Sequence, residues 1–244
     1  LLSNFLRPPQ AQEVPPAVPR KTQTTQNYAP IEVLRSPVFW VRYVMFVLVA
    51  ASGLMVTAQI APIAKDLKIG DVPLDLGFVV ATALTVALVV DNVLNGLARP
   101  FFGWVSDHLG RENTMAMVFS LGALSYWGLG TFGSTPALFV ITAGLVYFTW
   151  GEIYSLFPAT CTDSFGAKFA TVNAGLLYTA KGTSAWLVPL ANVLKSHTGS
   201  WHAVFVAAAL MNLAVALAAI FILKPMRAAS LKGEQAASRV RAAE

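Results

Sequence analysis

Cysteine is nearly absent. Cys161 is the one thiol in 244 residues, which rules out an internal disulfide and a thiolate metal cluster and leaves it as a packing residue. Histidine is almost as scarce: His108, His197 and His202 fall at predicted helix ends on opposite sides of a bundle, too dispersed to share one metal ion. Charge is thin as well, at 12% Asp, Glu, Lys and Arg, about half the share of an ordinary soluble domain. No Gly-x-Ser-Gly turn and no His-Glu-x-x-His motif occurs. The sequence therefore offers no catalytic residues for an intramembrane hydrolase, and it implies neither an enzyme nor a cofactor. A start methionine and a signal-peptide pattern are missing too; a chain that begins at Leu1 is expected to be a fragment.

Apolar surface is what the sequence has in abundance. Hydrophobic residues make up 56% of it, and the mean hydropathy is +0.61, the composition of a multi-pass membrane protein whose first partner is a lipid bilayer. The net charge of +5 forms no basic patch with interleaved aromatics, so nucleic acid is excluded as a partner. The positive residues instead sit at the ends of apolar runs, where topology signals belong.

Residues 1–6 read as the end of a preceding membrane helix, and residues 8–37 as a proline-rich linker that cannot build a core. Apolar runs then predict six transmembrane helices at 38–61, 77–104, 113–132, 136–158, 168–194 and 202–223. Residues 1–37 thus form a helix end plus a loop, 38–224 an all-α six-helix unit, and 225–244 a charged, alanine-rich tail able to form a short surface helix. Twelve lysines and arginines, among them Arg35, Arg42, Arg111, Lys168 and Arg227, fall on the linker side; only Lys65, Lys68 and Lys195 fall opposite. The positive-inside rule then puts both ends of the chain in the cytoplasm.

Two basic residues remain, and both lie inside the predicted membrane. Lys181 stands thirteen residues after Lys168 and fourteen before Lys195, roughly 20 Å from either. Facing lipid there would cost about 3 kcal/mol, so Lys181 is expected to face protein or a hydrated path and to bind an anion. The bland alternative is a permanent pair with a buried carboxylate. Tyr178 and Ser184 share the Lys181 face. Arg99 lies eight residues before Asp107, about 12 Å deeper than that helix end. It shares a polar stripe with Asn92 and Asn95, and Asp91 is near enough to neutralise it. In the fourth helix Trp150 and Tyr154 are one turn apart and read as a cavity wall, while Glu152 points away from them as an internal partner for another helix.

Between the second and third helices the chain reads Gly103-Trp-Val-Ser-Asp107-His108-Leu-Gly110-Arg111-Glu112. This resembles the Gly-x-x-x-Asp-[Arg/Lys]-x-Gly-[Arg/Lys] loop of the major facilitator superfamily, with His108 and Glu112 departing from basic positions. The resemblance implies that Gly103 permits close helix contact, Asp107 makes charged contacts with a neighbouring helix end, and Gly110-Arg111 turns the chain at the cytoplasmic face. Longer stretches, such as Asn92-Val-Leu-Asn-Gly-Leu-Ala-Arg99-Pro, Trp150-Gly-Glu-Ile-Tyr154-Ser-Leu-Phe-Pro158 and Asn173-Ala-Gly-Leu-Leu-Tyr178-Thr-Ala-Lys181-Gly, are similar to the oxalate:formate antiporter family.

That resemblance covers most of residues 33 to 227 and corresponds to the C-terminal half, helices seven to twelve, of a twelve-helix carrier. It implies a bacterial cytoplasmic membrane, a missing N-terminal six-helix half as partner, and a site in which Arg99 and Lys181 bind a dicarboxylate between walls that include Trp150 and Tyr154, with Tyr178 beside Lys181. Oxalate and formate are the substrates it implies. Two cations can neutralise a dianion, Arg99 as a planar fork and Lys181 as a point charge. The alternatives are a carrier of the same fold for another small mono- or dicarboxylate, and a six-helix membrane subunit that transports nothing.

Overall fold

The computed structural model describes residues 23–243; the expected helix end at residues 1–6, and Arg7, Arg20 and Lys21, lie outside them. Six antiparallel helical passes form the bundle, several of them in two pieces. A short α1 (Pro30–Arg35) leads into α2 (Pro37–Thr57), extended at its outer end by α3 (Ile60–Asp66). A two-stranded hairpin follows, β1 (Pro73–Asp75) paired antiparallel with β2 (Val80–Thr82). Next come α4 (Ala83–Leu109), α5 (Arg111–Phe132), α6 (Pro136–Gly151) with α7 (Ile153–Phe165), and α8 (Ala170–Ala185) with α9 (Pro189–Thr198). The last pass is α10 (His202–Ala218), continued through a π-helical turn (Ala219–Leu223) into α11 (Lys224–Ala243).

Local chemistry sets these boundaries. The second pass starts at Ala83 rather than at 77, because the β-branched and apolar stretch before it pairs as a strand and Thr82 then caps the helix, its hydroxyl accepting from the Thr85 N–H at 3.3 Å. Gly110 ends α4 at φ +86°, a conformation that side chains rarely adopt. Pro189, which lacks an N–H and fits the first turn of a helix, separates α8 from α9; residues 186–188 bridge the gap with tight i to i−3 hydrogen bonds.

Four passes are long and apolar enough to cross a membrane: Pro37–Thr57, Arg111–Phe132, Pro136–Phe165 and His202–Ala236. The other two, α4 and α8–α9, carry the charges that set the site. Of the helices, α4 packs on α6, α5 on α6 and α10, and α2 on α8 and α10, so the charge-bearing passes are held by the apolar ones. At the end of the bundle opposite the linker Lys195 pairs with Asp66, which also accepts from Trp201 Nε1 at 2.8 Å. The Lys195 hydrogen bond, then that of Trp201, holds the Asp66 carboxyl below its usual range.

The end of the bundle that carries the linker and the tail is more ordered than the composition suggests. Residues 23–28 lie along the end of α7, with Thr24 N donating to Asp163 O at 3.0 Å and Tyr28 N to Phe165 O at 2.9 Å. A Cβ at Gly166 would lie 2.3 Å from Gln26 O, so glycine is what lets the linker approach. The tail helix is docked: Arg227 pairs with Glu112, and Glu234 accepts from Tyr28 OH at 2.8 Å. Arg42, counted above as a topology charge, is fully buried within the bundle and donates to Ser164 Oγ. It is a third basic residue inside the helices.

Candidate functional site

The site is built around Tyr154, and proline places it. Pro158 has no N–H to offer the carbonyl four residues earlier, which is that of Tyr154. The phenol of Tyr178 on α8 donates to that freed carbonyl at 3.0 Å, satisfying a group that would otherwise be orphaned. This bond lays the two rings together, with centroids 6.3 Å apart and planes within 7°. One turn away Trp150 meets Tyr154 edge-on at 5.8 Å. Room for its indole comes from α2: a Cβ at Gly53 would lie 2.0 Å from Trp150 Nε1.

Both cations approach this same ring. The Arg99 guanidinium carbon, from α4, and Lys181 Nζ, from α8, each lie 5.0 Å from the Tyr154 centroid. The two charges are therefore separated by no more than the sum of those distances. Among the described residues neither forms an ion pair. Aromatic faces attract cations, but a ring carries no net negative charge, so two positive charges gathered on it leave charge for an anion to neutralise. Trp150 Nε1 and Tyr154 OH are buried donors without a hydrogen-bond partner in the same group.

The other polar residues of the stripe do not join this cluster. Asn92 donates to Leu88 O at 2.7 Å within its own helix, and Asn95 to Tyr147 O on α6 at 3.2 Å. Ser184 turns back to Lys181 O at 2.6 Å. Asp91 is buried and does not pair with Arg99; neither of its carboxylate oxygens has a hydrogen-bond partner. Glu152, expected to partner a neighbouring helix, pairs with none.

At the α4–α5 turn Arg111 is the hub. It pairs with Asp107 at 2.9 Å and with Asp163 on α7 at 3.0 Å, and it donates to Ser106 Oγ. Among the described residues no atom lies within 4 Å of where a Cβ on Gly103 would be.

The sequence profile of the Major Facilitator Superfamily matches residues 2–189. The chain belongs to that superfamily. It is 30% identical over 207 residues to the oxalate:formate antiporter of Oxalobacter formigenes, a match covering 83% of this chain and 46% of the relative. It is also 27% identical over 159 residues to the MFS-type transporter YhjX of Escherichia coli strain K12, covering 64% and 37% respectively. The chain thus spans less than half the length of these relatives. It is an all-α, multi-pass membrane protein of the facilitator type.

Within that superfamily frame, the departures in the loop have local explanations. Glu112 stands in for a basic residue because its partner is Arg227 of the tail helix. Asp163 carries no signal in the sequence and Arg227 only that of a topology charge; a lone acid or base at a helix end says nothing more until the fold brings its partner to it. Pro158 carried a readable signal, a proline four residues after Tyr154. Arg111 ties the α4–α5 turn to the end of α7, far along the helices from Tyr154. Asp107→Asn and Asp163→Asn are therefore expected to slow transport about tenfold or more while changing anion affinity less than about twofold. Parallel uptake and equilibrium binding measurements check this; binding lost as severely as transport would place these acids in the anion site.

Proposed function

We propose that this chain supplies the C-terminal six-helix half of an alternating-access carrier that exchanges small carboxylate anions across a bacterial cytoplasmic membrane, oxalate for formate being the exchange that fits best. The observation that carries this reading is the convergence of Arg99 and Lys181, neither ion-paired, on one aromatic ring. Oxalate has a carboxylate at each end and can engage both cations; formate has one and engages the pair less completely. Trp150, Tyr154 and Tyr178 form the wall against which a small planar anion lies. The similarity to an oxalate:formate antiporter supports the substrate class. Basic residues gathered on the linker side support an orientation with both ends cytoplasmic.

In this reading Arg99 and Lys181 are open in the described half because the second half closes over them, and transport is the rocking of one half against the other around the shared anion. Counterflow tests it. The full-length carrier in liposomes loaded with oxalate or formate is expected to take up labelled oxalate only when an exchangeable anion is inside. Leak without internal anion would indicate a channel, and no flux with any small carboxylate would remove the carrier reading.

A further inference from the structure

Glu152 stands at the interruption between α6 and α7, two residues from Trp150 and two from Tyr154. Its side chain is fully buried, and neither carboxylate oxygen has a hydrogen-bond partner. The backbone there is well satisfied: the Glu152 carbonyl accepts from Ser155 N at 2.8 Å, Ser155 Oγ at 2.9 Å and Leu156 N at 3.0 Å. The junction is thus a built feature that leaves one carboxyl with nothing to bind.

The helices packed against α6 and α7 are α2, α4, α5 and α8. Their charged side chains within the bundle are Arg42 on α2, Asp91 and Arg99 on α4, and Lys181 on α8; Asp107, His108, Arg111 and Glu112 stand at the cytoplasmic ends of α4 and α5. None pairs with Glu152. Arg42 donates to Ser164, Arg99 and Lys181 lie on the Tyr154 ring, and Arg111 is taken by Asp107 and Asp163. The titratable neutral groups on those helices, Tyr43, Tyr126 and Tyr178, make no hydrogen bond to it either, nor do Tyr147, Tyr154, Cys161 and Asp163 on its own pass.

Burying a carboxylate with neither cation nor donor beside it costs far more than burying the neutral acid. An ionised Glu152 therefore needs a partner or water brought to it, and the packed α6–α7 junction must open to admit one. That junction carries Trp150 and Tyr154 on the opposite side of the same turns. We infer that Glu152 is a proton-binding site linked to the anion site: taking up a proton there favours the conformation in which Trp150 and Tyr154 stand against Arg99 and Lys181. The inference rests on the carboxylate reading of that site. The proton acts as a second ligand selecting one conformation, and linkage makes anion binding draw in the proton.

The test measures oxalate affinity of the full-length carrier from about pH 6 to pH 9, a range in which oxalate keeps both charges. Wild type is expected to weaken with rising pH, by up to about tenfold per pH unit where one full proton is linked. Glu152→Gln, a neutral mimic of the acid, is expected to bind at every pH about as tightly as wild type does at the acid end. Asp91→Asn is expected to keep the wild-type slope. Should Glu152→Gln fail to fold, proton uptake by wild type on mixing with oxalate in weak buffer decides the matter. Flat wild-type affinity without proton uptake, or a slope kept by Glu152→Gln or lost in Asp91→Asn, overturns the linkage. Neither oxalate nor formate bound at any pH removes the carboxylate reading beneath it, a result distinct from binding that ignores pH.

Discussion

Lys181→Gln is expected to weaken oxalate binding by the full-length carrier about a hundredfold and formate binding by no more than about tenfold. Truncating one partner of a desolvated charge pair costs about 2 to 5 kcal/mol, and about 3 kcal/mol corresponds to that hundredfold loss. The loss is selective because the dianion keeps a carboxylate that no longer meets a cation, whereas formate can still lie against Arg99. Arg99→Gln is expected to act in the same direction, with the added loss of the bidentate geometry a guanidinium provides. Lys181→Arg keeps the charge but brings a broad planar group to a place 5.0 Å from the ring now held by a compact ammonium, so it should retain only part of the affinity. Titration of both anions into all four proteins measures this.

Gly53→Leu is expected to eliminate measurable oxalate binding while the protein still inserts as a helical bundle. The Cβ alone would lie 2.0 Å from Trp150 Nε1, 2.2 Å from Cδ1 and 2.3 Å from Cε2, where non-bonded carbons need about 3.5 to 4.0 Å. The indole must leave, and its edge-on contact with Tyr154 at 5.8 Å leaves with it. Overpacking of this kind costs about 1 to 3 kcal/mol of stability, which a bundle with five other packed passes can survive; the wall of the anion site cannot. Gly53→Ala should be milder, and Gly53→Ala combined with Trp150→Phe should regain thermal stability, because the smaller ring gives back the space. Thermal unfolding and oxalate binding on the same samples check both claims. Unchanged binding by Gly53→Leu would mean that Trp150 forms no part of the wall.

Much of the helical plan was legible because a membrane chain writes it as apolar runs, and Arg99 and Lys181 stood out because charges interrupt those runs. What was not legible depends on features the runs do not record. The 136–165 pass continues as apolar sequence through Glu152, so its break was invisible. The start of α4 lies later than the apolar run suggests because Phe78 and Val79 are as apolar as a helix end but sit in the turn of a hairpin whose second arm is Val80–Thr82. Arg42 has the residue type of a topology signal, and only the packing of α2 shows that it is buried. That both cations approach the ring of Tyr154 is not recorded in the apolar runs, since it needs α4, α7 and α8 to meet; only the family resemblance groups these residues in one site. Pro158 is the part of that arrangement a sequence does carry.

The measurement that bears most directly on the two-cation site is the ratio of oxalate to formate affinity, determined side by side for folded full-length wild type, Lys181→Gln and Arg99→Gln in the same lipid. The two-cation site predicts that the ratio falls in both variants, because each loses the charge that only a dianion uses. A folded Lys181→Gln protein that binds oxalate with unchanged affinity would contradict it and make Lys181 a structural residue.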